Sequence, residues 1–119
     1  MFHDIKWSPS EKKIARKAYD VALNAALAKI LAEFKRRAAA ATTPSEMWDV
    51  EEYLREQRRE INEIFDYRYS RLFFVFPRLI LEGHMEESLL DGLSEEKREF
   101  IRSSVEHARE HDARDRLGE

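Results

Sequence analysis

Apolar residues recur along this chain at helical spacing over most of its length. A first stripe, Tyr19, Leu23, Leu27, Ile30 and Phe34, runs beside a face of smaller residues, Ile14, Ala18, Ala22 and Ala25. A second stretch carries Met47, Val50, Leu54, Gln57, Ile61 and Ile64, an unbroken 3-4-3-4-3 spacing with one polar member. A third, Leu72, Val75, Phe76, Leu79 and Ile80, is also helical in spacing. Its aromatic and β-branched start would suit a strand, but the spacing favours a buried helix.

Start and stop signals agree with these periods. Ser8-Pro9-Ser10-Glu11 and Thr43-Pro44-Ser45-Glu46 place a hydroxyl at the N-cap, proline at N1 and glutamate at N3. The cap oxygen accepts from the N3 amide while the glutamate reaches back to the cap amide, and proline lacks only an N–H that would be orphaned there. The first helix is predicted to run from Pro9 to about Ala41, ending in Lys35-Arg36-Arg37 where the macrodipole favours cations. Such a rod is about 50 Å long, whereas a compact globule of this chain length is about 35 Å across. The helix therefore projects as a stalk, and its two apolar faces call for two neighbours. The second seam suits an antiparallel hairpin or coiled coil, with Gln57 either setting register or reaching solvent at the edge. Pro77 lies inside the third helix, where it frees the Phe73 carbonyl, and Gly83 stands at its C′ position. A short turn over residues 85–90, a loop at Asp91-Gly92-Leu93 and a helix capped by Ser94 follow; the charged residues from Ala108 are expected to fray.

The predicted architecture is all-α and a single domain: a long antiparallel stalk of two helices (residues 8–65), a small helical head (66–107) and a charged tail (108–119). Composition sharpens this picture. Among 119 residues, 38% are charged and 43% hydrophobic, with three glycines and three prolines. That is too apolar for disorder and too charged for a compact globule, whereas a projecting rod closed by a second copy accommodates both. Absence of cysteine excludes disulfide frameworks and thiol chemistry. A net charge of −3 argues against a general nucleic-acid binder. The longest apolar run, residues 72–77, is too short to span a bilayer, and the first six residues lack the order of a signal peptide. The expectation is a soluble, cytoplasmic protein.

Catalytic constellations are scarce. No phosphate loop or nucleophile elbow is present, and no Glu-x-x-His motif of a di-iron bundle. His107 and His111 are spaced i, i+4 but lie among Glu106, Glu110 and Asp112, which reads as a solvated face rather than a metal site. The adjacent pairs Glu51-Glu52, Glu86-Glu87 and Glu95-Glu96 point in different helical directions and cannot share a proton. The chain is expected not to be an enzyme and to hold no cofactor or metal.

Recognition surfaces are better supported. Opposite the apolar seam of the second helix stand Trp48, Glu51, Glu52, Arg55, Arg58 and Arg59, with Glu51–Arg55 and Glu56–Arg59 able to pair. Trp48 must be covered, either by the first helix or by a second copy or partner. An indole ringed by acids and arginines has the composition of an interface centre, and with the stalk it points to a homodimer. In the head, most of Phe65, Tyr67, Tyr69, Phe73, Phe74 and Phe76 are expected in the core, but the six consecutive positions from Arg71 cannot all face inward on one helix, so Phe73 or Phe74 is exposed or plugs a partner.

Taken together, Trp7-Ser8, Arg16-Lys17-Ala18-Tyr19, Met47-Trp48, Tyr53-Leu54, Arg58, Glu60-Ile61, Asp66-Tyr67-Arg68-Tyr69-Ser70, Phe74-Val75-Phe76, Arg78-Leu79, Glu82-Gly83 and Gly92-Leu93 resemble the fluorescence recovery protein family. The resemblance spans roughly residues 7–101. It implies a helical dimer without pigment that binds the photoactivated orange carotenoid protein, chiefly through that protein's C-terminal domain, speeds its return to the resting state and so ends photoprotection. It also implies that Trp48, Glu52 and Arg58 serve dimerisation and activity and that Phe74 is the exposed phenylalanine of the head. The chain departs from the family pattern at Glu51-Glu52, where His-Asp is expected, at Phe100, near an expected lysine, and at Pro77. These departures open an alternative: a family homologue that acts as a helical adaptor or regulator of a different signalling protein. Nucleic-acid binding by the helix–turn–helix after Gly83 is disfavoured, because its reading helix would begin Glu95-Glu96.

Overall fold

The computed structural model describes residues 6–118. The absence of a signal peptide was read partly from residues 1–5, which lie outside that range. Helices α1 (Pro9–Ala40), α2 (Pro44–Ile64), α3 (Leu72–Leu81) and α4 (Glu95–Leu117) follow in order, with a 3₁₀ turn at Glu87–Leu90 between the last two. Among the described residues no strand forms, and residues 72–76 are helical. The radius of gyration is 17.4 Å with extents of 53 × 40 × 23 Å, well above the roughly 13 Å of a compact chain this long.

Capping explains most boundaries. Ser8 Oγ accepts from the Glu11 amide at 3.1 Å and the Glu11 carboxylate accepts from the Ser8 amide at 3.0 Å, a complete capping box. At α2 only half of the predicted box forms. Thr43 Oγ1 accepts from the Glu46 amide, but the Glu46 carboxylate takes the hydroxyls of Thr42 and Thr43 at 3.1 and 3.0 Å instead of the cap amide. Two nearby hydroxyl donors outcompete one backbone donor. Helix α3 ends in a Schellman motif, in which the His84 amide donates to Leu79 O and the Gly83 amide to Ile80 O. Gly83 there has φ 78°, as the left-handed cap requires. Pro77 sits buried within α3.

The tight core lies where the first half of α1 meets α3, the 3₁₀ turn and α4. Phe76, Leu72, Leu79, Leu90 and Ile101 are the largest fully buried side chains, joined by Ala15, Ala18 and Ala22 of α1. Small residues let the backbones approach: a Cβ on Gly92 would lie 2.1 Å from Ile14 Cδ1. An ion pair crosses this region. Glu11 and Lys97 meet at 3.2 Å with both side chains nearly closed to solvent. The same carboxylate accepts from the Ser94 amide at 2.9 Å, and Lys97 Nζ donates to Lys6 O at 2.9 Å while lying over the Trp7 ring. Burial pushes the Glu11 carboxyl up, but hydrogen bonds from Ser8, Ser94 and Lys97 outweigh it and bring its pKa down to about 2. One carboxylate thus ties the N-termini of α1 and α4 together.

Beyond Ala26, α1 has no deeply buried residue, and in α2 only Val50 and Ile64 are buried. The two helices pack as an antiparallel hairpin, with Arg37 of α1 stacked at 4.1 Å on Tyr53 of α2 near one end and Tyr19 edge-on to Phe65 at the other. Helix α4 continues to Leu117 through the segment for which composition predicts fraying. Its buried positions nevertheless stop at Val105.

Candidate protein-interaction site

Among the described residues no helix is long and apolar enough to cross a membrane and no group of three or more His, Cys, Asp or Glu is placed to hold a metal. His107 and His111 are exposed, and His111 Nε2 faces Asp115 at 3.5 Å. The features with chemical consequence are unpartnered apolar surface and the charges around it.

Within α2, Val50 and Ile64 turn towards α1, Gln57 and Ile61 are half-buried, and Met47 and Leu54 stay exposed. Trp48 is 61% exposed, so α1 does not cover it. A groove of about 320 Å³ runs between the helices, lined by Phe34, Ala38, Val50, Met47 and Leu54. Leu27 and Leu31 on α1, spaced four apart and then three from Phe34, are exposed as well and extend the same stripe. Charged residues border it. Arg55 pairs with both Glu51 and Glu52, the latter at 3.7 Å. The predicted Glu56–Arg59 pair is not formed among the described residues. Arg58 lines a shallow depression with Glu51, Leu54 and Arg55. Five of the six sequence-predicted positions (Trp48, Glu51, Glu52, Arg55 and Arg58) therefore share the exposed side of α2.

Phe74 stands apart, on α3. It is 59% exposed, whereas neighbouring Phe73 is 3% exposed and packs against Trp7 and Phe100. This resolves which of the two is exposed. Arg71 lies over the exposed Phe74 ring at 5.2 Å.

Comparison with known proteins gives these surfaces a context. Residues 7–105 match the family described as photoprotection regulator fluorescence recovery protein. This chain belongs to the fluorescence recovery protein family. The fluorescence recovery protein of Synechocystis sp. PCC 6803 is 29% identical over 97 residues, covering 82% of this chain and 89% of the relative. The solved structure of the Fremyella diplosiphon fluorescence recovery protein aligns with a TM-score of 0.81 at 29% identity, covering 85% of this chain and 99% of that one. The Synechocystis structure aligns at 0.80 and 28% identity with the same coverage. The family is one of photoprotection regulators.

One expected departure from the family pattern acquires structural content. Phe100 is half-buried and edge-on to Phe73 at 5.4 Å, so this position belongs to the packing of α3 on α4. Lys97, the nearest lysine before it, is 6% exposed and committed to Glu11. The fluorescence recovery protein match stops at residue 105, where α4 also stops burying side chains.

Proposed function

We propose that this chain acts as a homodimer closed through the exposed face of the α1–α2 hairpin, with Trp48 at its centre. The helices then form a stalk and the α3–α4 region a head that presents Phe74. The observation that carries this reading is the exposed apolar set of Leu27, Leu31, Met47 and Leu54, left uncovered by the chain's own fold about the half-buried Phe34 and beside an exposed indole. Large exposed apolar patches rimmed by charge mark protein interfaces. Glu51, Glu52, Arg55 and Arg58 supply that rim.

Membership of the family supports the activity: binding of photoactivated orange carotenoid protein through its C-terminal domain, faster return to the resting state, and an end to photoprotective quenching. No bond is made or broken in this role. The dimer must bind a conformation nearer the reversion barrier more tightly than the activated one, or hold two domains of the partner near each other, because equal affinity for both states shifts nothing. Mixing the protein with photoactivated orange carotenoid protein and following colour recovery tests this directly. Acceleration is expected; an unchanged rate at excess dimer overturns it. Glu51-Glu52 and the packed Phe100 favour a second reading, a regulator of another signalling protein. Reproducible recovery of such a partner, without a carotenoid protein, would select it.

A further inference from the structure

A second surface lies at the opposite end of α1, about 38 Å along the helix from the Arg37–Tyr53 contact. There, cations of α1 rest on the aromatic faces of the segment that links α2 to α3. Arg16 stacks on the Tyr67 ring at 4.6 Å, and Lys12 Nζ lies 5.4 Å from the Tyr69 centroid. The two tyrosine rings are edge-on at 5.6 Å, and the Tyr67 hydroxyl donates to Lys12 O at 3.4 Å. Asp66, next to Tyr67, pairs with Arg68 and approaches Arg71 at 3.9 Å, and Arg71 leads on to the exposed Phe74. The result is a ledge of alternating cations and rings.

Its charge is out of keeping with the rest of the protein. The ledge carries Lys12, Arg16, Arg68 and Arg71 against Asp20 and Asp66, four minus two or +2, in a chain of net charge −3. A ring orients a cation without neutralising it. Lys12 makes no ion pair among the described residues, and Arg16 has only the half-exposed Asp20 at 3.4 Å. Burial raises the Tyr67 hydroxyl above the usual tyrosine range, so the ring beneath Arg16 stays neutral. Lys12 is thus held in place without a carboxylate partner, and Arg16 and Arg71 remain more than half exposed beyond their contacts with Asp20 and Asp66.

We propose that the ledge docks an acidic, extended segment of a partner protein, its carboxylates on Lys12, Arg16 and Arg71 and an apolar side chain against Tyr69 or Phe74. Asp20 and Asp66 interrupt the positive field, which suits discrete carboxylates better than a continuous phosphate backbone. The site is separate from the dimer face, since none of its residues belongs to the Trp48 face, and it shares only Phe74 with the head surface of the carotenoid-protein reading.

Fluorescence anisotropy with a short labelled peptide alternating Glu with Leu and Phe tests it on the full chain. The Lys12→Glu/Arg16→Glu protein is expected to bind about tenfold or more weakly at low salt, while Lys35→Glu/Arg109→Glu, with the same change in net charge, stays within about twofold. Arg16→Gln and Tyr69→Ala, each checked for helicity by circular dichroism, give intermediate losses and serve if the double variant does not fold. Equal losses in the ledge and control variants would reduce the effect to net charge and overturn the proposal. Tighter binding of a single-stranded oligonucleotide, or of anionic vesicles, than of the peptide would also overturn it.

Discussion

Around the first half of α1, Ala15, Ala18 and Ala22 are sealed against α3, the 3₁₀ turn and α4, while on its second half Leu27 and Leu31 face solvent. Both halves are one continuous helix, with three alanines in residues 9–24 and seven in residues 25–40. Helix formation therefore does not distinguish them; cover does. Propensity and a complete capping box keep α1 helical whether or not it is packed, so the second half can carry apolar surface without a partner inside its own chain. Folding stability should reside in the α3–α4 end and association in the Trp48 face.

The sharpest way to break that division is to delete core volume. Phe76→Ala removes a fully buried ring and is expected to cost about 3–5 kcal/mol, read from the urea midpoint. Leu54→Ala, on the hairpin face, should cost the isolated chain less than about 1 kcal/mol. Comparable losses at both positions would show that the hairpin face is a folding surface rather than an association surface.

Next in size is the Glu11–Lys97 pair. Glu11→Gln keeps the shape but leaves Lys97 buried without a countercharge, for a loss of about 2–3 kcal/mol near neutral pH. The sign follows from a carboxyl held at about 2 in the folded state against an ordinary 4.5. Its stabilisation is complete above the ordinary value and disappears as pH falls from 4.5 towards 2. Denaturation curves at stepped pH should show the gap between wild type and Glu11→Gln closing across that window. A gap that persists below it would mean that the carboxylate charge is not what joins the two helices.

The helices, the two caps, the terminating glycine of α3 and the exposure of one phenylalanine at 73 or 74 were all legible in the sequence, because periodicity and capping are local. The Glu11–Lys97 contact was not. Its partners are 86 residues apart, and nothing near Glu11 distinguishes an N3 glutamate that also closes on α4 from one that does not. Glu46 shows the same limit: it follows the same Pro-Ser as Glu11 yet bonds differently, because Thr42 offers a hydroxyl where Trp7 offers a ring. The Lys12–Tyr69–Tyr67–Arg16 ledge also escaped prediction, since it joins α1 to a segment more than fifty residues away. On the hairpin face, the spacing found Leu27 and Phe34 but not Leu31, which lies one residue outside the stripe.

Trp48→Glu acts on the association side of the division. At 61% exposure the indole contributes little to the fold of one chain, so its replacement should change single-chain stability by less than about 1 kcal/mol. A buried carboxylate at the centre of an apolar interface is far more costly, and size exclusion with light scattering should find monomers. An unaffected dimer would move the interface away from α2. Gly83→Ala is subtler. A Cβ there meets only Lys29 Nζ at 3.8 Å, but φ 78° disfavours any side chain, for a loss of about 1 kcal/mol that heat denaturation resolves.

The smallest expected effect is at the far end of α4. Buried positions stop at Val105, yet the helix continues to Leu117 with charged residues on nearly every side. Beyond Val105 only Ala108 is even half-buried among the described residues, and the family match also ends at residue 105. Truncation after Val105 should therefore lower helical ellipticity while shifting the urea midpoint by less than about 0.5 kcal/mol. The cost would come only from shortening a capped helix whose last turns are stabilised by exposed i, i+4 pairs such as His111–Asp115. A larger loss would mean that the extension covers apolar surface on a second copy, and the division between a packed end and an associating face would then need a third contributor.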